Sequence, residues 1–316
     1  MEDRFQGKRV LVTGGAGFVG SNLVRKLVLE GASTVVLDDL TTGSLDNLAG
    51  LEGQYEMLVG SVEDRDLVMK TVSGVQLVFH LAARNIIAST RNPYDDFRTN
   101  IGGTLNVLLA AREHGIERVV YTSSASVYGN TRYLPINEDD RISILTPYSA
   151  SKYSGEAYCQ AFYESYDVSA VILRYSNVYG IGQDPQNPYC GVVSRFFQKV
   201  RADQPPEIHG DGQQTRDYTY VGDAVEATLS SALSSRAPGE VFNVATGIET
   251  DANTLARWTL DISGSPLKPV HIERRDIDNI RRRVLNVEKA RRMLRWTPTT
   301  VLRDGLEITW KWFVGS

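Results

Sequence analysis

Residues 9–20, RVLVTGGAGFVG, set an apolar run directly against glycines at 14, 17 and 20, and an apolar-periodic segment, Val19–Glu30, follows. Few local structures suit that order besides a buried strand passing through a tight turn into a helix. Glycine at these three places lets the chain turn sharply, lets backbone approach a pyrophosphate, and lets the helix pack on the strand. The spacing is G-x-x-G-x-x-G rather than G-x-G-x-x-G, so the triplet taken alone also fits an ordinary turn.

The same alternation continues. Thr34–Asp38 (TVVLD), Leu77–Leu81 (LVFHL) and Val119–Thr122 (VVYT) read as further buried strands, with Glu63–Thr71 and Asn100–His114 as intervening helices. Gly31 and Gly115 stand where helix C-terminal stops are expected. Strands alternating with helices predict an α/β fold, a doubly wound parallel sheet covered on both faces. A long helix from Pro147 and a strand Ala170–Tyr175 (AVILRY) extend it. The Gly-, Pro-, Asp- and Gln-rich stretches 180–190 and 203–215 then read as loops, opening a smaller region that supplies substrate contacts. Val241–Val244 (VFNV) reads as a strand returning to the main sheet.

Composition removes several function classes. A net charge of −4 with interspersed signs argues against a nucleic-acid partner. Cys159 and Cys190 lie in no metal-ligand spacing, nor do His80, His114, His209 and His271, so neither a metal site nor a disulfide framework is expected. The amino terminus lacks a signal-peptide core and no run reaches membrane-spanning length, which gives a cytoplasmic expectation with no membrane partner.

Two groups of residues carry chemistry. Asp38 ends the second strand, where a carboxylate accepts hydrogen bonds from adenosine ribose hydroxyls and repels a ribose phosphate, favouring NAD over NADP. Capping of the following turn by Asp38 or Asp39 is the plainer alternative. Thr122, Ser123 and Ser124 end a strand, and Tyr148 and Lys152 stand four apart on a helix that Thr146 and Pro147 are suited to start. A lysine ammonium near a phenol favours the phenolate, which can take the proton of a sugar hydroxyl, with Ser124 steadying that oxygen. A surface Tyr–Lys pair on an amphipathic helix fits the same spacing if it is taken alone.

TGGAGFVG, LDDLTTG, FHLAA (79–83), NIGGT (100–104), SSASVYG (123–129), PYSASK (147–152), LRYSNVYG (173–180) and GDGQQTRDY (210–218) together resemble the extended short-chain dehydrogenase/reductase family over nearly the whole chain. The resemblance implies a Rossmann-type NAD-binding domain over 1–175, with segments near 217–246 returning to it, and a mixed C-terminal substrate-binding region over 176–216 and 247–316. It puts cofactor contacts on Gly14, Gly17, Phe18, Val19, Asp38, Leu81, Ala82, Ala83, Asn100, Tyr148, Lys152 and Tyr175. It puts nucleotide-sugar contacts on Asn177, Val192, Arg195, Arg216, Arg275 and Asp278, beside catalytic Ser124, Tyr148 and Lys152. A structural pairing of Arg216 with Asp217 remains open, and the arginines at 281–283 also fit a solvated surface.

SSASVYG is similar to the UDP-hexose 4-epimerase version of its motif. Related 4,6-dehydratases carry an Asp-Glu pair where this chain has Ala125-Ser126, and UDP-glucuronate decarboxylases carry a glutamate at the place of Ser126. The implied activity is therefore inversion of sugar carbon 4 with bound NAD. A 4-ketoreductase, another nucleotide-sugar epimerase and a non-catalytic NAD sensor are the alternatives. The chain departs from the family at Gly60-Ser61-Val62, where an aspartate usually meets the adenine and Ser61 would serve more weakly. It departs again at Arg84-Asn85-Ile86-Ile87, bulkier than many relatives near the sugar. A homodimer is implied, with helices 100–113 and 149–166 forming a four-helix bundle. Leu105, Leu109, Tyr158 and Phe162 suit either that bundle or the chain's own core.

Overall fold

Alternate residues of the first strand, β1 (Arg9–Thr13), belong to different cores. Val10 and Val12 pack with Leu23 and Leu27 on one side, and Leu11 packs with Val68 and Val72 on the other. Period-two side-chain alternation with both faces apolar is what a sheet covered twice requires. The computed structural model describes residues 3–183, 191–274 and 280–315.

Five more strands follow in the first half: β2 (Ser33–Asp38), β3 (Tyr55–Val59), β4 (Leu77–His80), β5 (Arg118–Ser124) and β6 (Ala170–Tyr175). Three short ones come next, β7 (Asn177–Tyr179), β8 (Glu207–His209) and β9 (Thr215–Tyr220), and then β10 (Val241–Val244), β11 (Glu249–Asp251) and β12 (Val270–Ile272). The main sheet is parallel throughout, in the order β10-β6-β5-β4-β1-β2-β3. Strand order reverses between β1 and β4, which opens a crevice at the carboxyl ends of those strands. The apolar pattern does not delimit β3, because it is an edge strand whose residues are half-buried or exposed.

Helix α1 (Phe18–Leu29) buries Leu23, Val24 and Leu27 against the sheet, each worth about 1.5–3 kcal/mol of burial. It stops at Gly31, whose φ of +80° suits glycine. Helix α2 (Arg65–Val72) starts two residues later than the apolar pattern suggests, because the Asp64 carboxylate accepts from the Leu67 amide at 3.0 Å. Short helices α3 (Ile86–Arg91) and α4 (Pro93–Asp96) precede a widened π turn, Phe97–Gly103, and only then α5 (Thr104–His114). The helix read over 100–114 is therefore two structures. Helix α6 (Pro147–Tyr166) opens with a capping box between Thr146 and Ser149.

The smaller region joins β7, β9 and β11 in one sheet and β8 and β12 in a parallel pair. Helices α7 (Val192–Arg201) and α8 (Val221–Leu233) flank β8 and β9, and α9 (Ala252–Ser263), α10 (Glu288–Leu294) and α11 (Leu302–Gly315) complete the chain. A third core gathers Phe196, Phe197, Leu255, Leu306 and Phe313. Asp217 of β9, fully buried, accepts from the amides of Thr246 and Gly247 just beyond β10 and so fastens this region to the main sheet. Helices α5 and α6 lie side by side. Phe162 is buried in the chain's own second core, with Leu105 and Leu109 packed against it, whereas Tyr158 is 38% exposed. Among the described residues no helix is long and apolar enough to cross a membrane.

Candidate active site and cofactor cleft

A cavity of about 380 Å³ lies at the carboxyl ends of β1 to β6. The glycine-rich turn forms its floor with Gly14, Gly17, Phe18 and Val19, and Asp38, Ser61 and Val62 line one end. Leu81, Ala82 and Ala83 come from the end of β4, and Ser124, Tyr148, Lys152 and Tyr175 from the opposite end. Residues scattered over more than half the chain thus meet in one crevice, because each follows a parallel strand or opens the helix behind it.

The turn is built around close backbone contact. Gly14 has φ +70°, and a Cβ there would stand 2.7 Å from the Ala82 nitrogen; one at Gly20 would stand 2.1 Å from the Gly14 carbonyl oxygen. The N-cap of α1, Gly17, offers its helix no side-chain acceptor, and the first turn holds no acidic residue. A helix N-terminus in that condition suits a diphosphate. Asp38 accepts from the Ala16 amide through one oxygen and from the Leu40 amide through the other, both at 2.9 Å. It therefore caps the turn as well, and the remaining lone pairs of a carboxylate are still available to ribose hydroxyls. Burial pushes its pKa above the ordinary carboxylate value despite those two amides. This donor and acceptor set fits a dinucleotide whose ribose carries free hydroxyls.

At the other end, Lys152 is buried and its ammonium donates to the Thr122 carbonyl at 2.7 Å. Burial lowers its pKa to about 8, against the pull of Asp96 and Glu156. Tyr148 is pushed up to about 12 by burial, and the hydrogen bond with Ser124 acts in the opposite direction. The ammonium is turned to a backbone carbonyl, and the Ser124 hydroxyl favours the phenolate. Ser124 also accepts from the Ser126 amide at 3.1 Å, which fixes its rotamer at the start of a 3₁₀ turn. The Tyr175 hydroxyl bonds Thr228 of α8, so it is the ring that borders the cleft.

Asn100, expected at the cofactor, is buried behind the wall instead. Its amide brackets the backbone of Arg84, accepting from the amide at 2.7 Å and donating to the carbonyl at 3.1 Å, and it also donates to Asp96 at 2.6 Å. Of the residues assigned to the nucleotide sugar, Asn177, Val192, Arg195 and Arg216 lie outside the cavity lining, and Arg275 and Asp278 lie outside the described residues. Arg216 donates to the carbonyls of Thr215 and Ile280, while Asp217 is engaged by Thr246, Gly247 and Leu285.

Sequence reasoning passes over one pair of residues here and does not foresee a second pairing. Glu156, one turn beyond Lys152, forms a buried ion pair with Arg174 at 2.7 Å and also accepts from Ser123. A charge inside the apolar strand AVILRY is the signal that could have found it. Arg84, expected near the sugar, and Asp39, expected at most to cap a turn, both line the cavity and pair with each other at 3.0 Å.

Residues 10–245 match the sequence profile of the NAD dependent epimerase/dehydratase family. A UDP-glucose 4-epimerase of Mycolicibacterium smegmatis is 36% identical over 310 residues, covering 96% of this chain and 98% of that one. A UDP-N-acetyl-alpha-D-glucosaminuronate decarboxylase of Bacillus cytotoxicus is 32% identical, covering 97% and 98%. Among solved structures, the Thermotoga maritima UDP-glucose 4-epimerase with UDP-glucose superposes with a TM-score of 0.93 at 35% identity, covering 97% of this chain and 99% of that one. The Thermus thermophilus UDP-glucose 4-epimerase in complex with NAD gives 0.89 at 31%, covering 98% and 99%. With a glycine turn and a strand-end carboxylate whose geometry fits a dinucleotide, the chain belongs to the NAD dependent epimerase/dehydratase family, among the extended short-chain dehydrogenases/reductases, and is an NAD-dependent enzyme.

Proposed function

We propose that this enzyme inverts carbon 4 of a nucleotide-linked hexose, UDP-glucose/UDP-galactose or their N-acetyl forms, while keeping its NAD between turnovers. The observation that carries the reading is the cluster of Tyr148, Ser124 and Lys152 at one end of the cavity, with Ala125 and Ser126 beside it in place of acids. Elimination and decarboxylation each need a proton carrier there, and alanine and serine provide none at neutral pH. Relatives that act on UDP-glucose support the UDP-hexose class.

NAD, when bound, would supply a reversible acceptor for the hydride of the sugar carbon and positive charge beside the phenol. Tyr148 removes the hydroxyl proton and gives it back. With a pKa of about 12 in the cofactor-free site, it is a poor base until further positive charge stands near it. Ser124 holds the oxygen that gains and loses the proton. Lys152 fixes the end of β5 through the Thr122 carbonyl and contributes its own charge. Asn177, Val192, Arg195 and Arg216, with Arg275 and Asp278, would hold the nucleotide, leaving the ketohexose free to turn over. Pairing of α5 and α6 across a homodimer in a four-helix bundle is part of the same proposal, with exposed Tyr158 at that face.

The test is to incubate the purified protein, without added cofactor, with each candidate UDP-sugar and follow the configuration at carbon 4 by NMR. Inversion without added NAD supports the reading. Net oxidation, loss of carbon dioxide or a requirement for stoichiometric reductant overturns it.

A further inference from the structure

Arg84 follows β4 and Asp39 follows β2, and in the sheet these strands stand on either side of β1. The Arg84 guanidinium crosses that gap to meet Asp39 at 3.0 Å, while its Nε donates to Asp95 at 3.0 Å and Glu63 lies at 3.9 Å. Its side chain is only 13% exposed and its backbone is held at both amide and carbonyl by Asn100. Asp39 is likewise fixed, accepting from the Thr41 amide at 2.9 Å. Both residues line the cavity beside Asp38 and Ser61, the end that suits adenosine. The bridge therefore spans the carboxyl end of β1 at the end of the cavity that suits adenosine.

We propose that the Arg84–Asp39 pair is a strap that retains NAD, so that release requires the pair to part. Its construction fits that role. A planar guanidinium shared between Asp39 and Asp95 is held in one orientation; Asp39 directly follows β2, and the Arg84 backbone is fixed by Asn100. Because Arg84 is already engaged by Asp39 and Asp95, with Glu63 nearby, it is also no ready partner for a ribose phosphate, which agrees with the preference set by Asp38. Retention suits an enzyme that regenerates its cofactor at each turnover, but the strap rests on the cofactor cleft and not on the carbon-4 reading.

The experiment measures NAD release in the absence of any sugar, by loading the protein with labelled NAD and chasing with unlabelled NAD. R84Q and D39N are compared with the unsubstituted protein and with the double variant. D39N leaves an oxygen for the Thr41 amide, so it remains informative even where R84Q folds poorly. Release at least about tenfold faster in each single variant, with the double variant no faster than the faster single, is the expected result, since tenfold corresponds to about 1.4 kcal/mol of barrier. Unchanged release in both variants overturns the strap. An effect of R84Q without one from D39N overturns it too, because Arg84 would then act on NAD directly. A failure of carbon-4 inversion leaves this measurement untouched.

Discussion

The Lys152 ammonium donates to the carbonyl of Thr122 at 2.7 Å, so the lysine of the Tyr–Lys pair is committed to the end of β5 before any cofactor arrives. Burial moves its pKa from 10.5 to about 8. Below pH 8 the residue is charged in both folded and unfolded chains and the burial penalty is felt in full. Between pH 8 and 10.5 the folded chain loses the proton first, the unfolded chain binds more protons, and stability rises with pH. For cofactor-free protein this single lysine should add on the order of 3 kcal/mol across that window. Urea unfolding of wild type and Lys152→Met at several pH values checks it, with the difference between the two curves reading the lysine alone. Parallel curves would show that the ammonium is not penalised by burial.

Tyr148→Phe removes the hydroxyl that Ser124 contacts and changes little else in volume. Turnover should fall by about 10²- to 10⁴-fold, the usual contribution of a positioned acid–base group. Nucleotide-sugar affinity, read by calorimetry, should stay within about twofold. A variant that keeps most of its rate would remove Tyr148 from the role of base.

Glu156 and Arg174 are a buried pair, with side chains 3% and 5% exposed. Glu156→Gln leaves the guanidinium without its countercharge and should cost about 3–5 kcal/mol of stability. Replacing both with apolar residues of similar size, E156L with R174M, should recover a large part of that loss, although Arg174 also donates to Tyr128 at 2.8 Å. Denaturant midpoints of the two variants decide the matter. A double variant as unstable as the single one would mean the pair's other hydrogen bonds carry the energy.

Asp38→Asn keeps an acceptor for one of the two amides that now share the carboxylate and removes its charge. NAD should bind about tenfold more weakly, and its advantage over NADP should narrow, as competitive titrations of the two cofactors would record. An unchanged ratio would locate cofactor choice elsewhere in the cleft.

Much of this site is legible in the chain because it is local. The order apolar run, glycine turn, periodic segment dictates strand, turn and helix within a few residues. The Thr146–Pro147 start puts Tyr148 and Lys152 on one face by helical period alone. Asp38 follows from its place at a strand end. The edge strand β3 escapes because an exposed edge needs no apolar run, and the π turn at Phe97–Gly103 escapes because no residue pattern separates it from the helix it precedes.

Sequence by itself determined the alternating strands and helices of the main sheet's interior, which residues stand at those strand ends, and the family to which they point. Only the tertiary structure decided who meets whom across the strands: Arg84 with Asp39, Glu156 with Arg174, Asn100 with the backbone of Arg84. It also decided the electrostatics, burying Lys152 and Tyr148 together and turning the ammonium toward Thr122. The physical reason is that propensity, capping and periodicity act between near neighbours in the chain. Desolvation and charge pairing depend on distances that exist only after distant segments have packed.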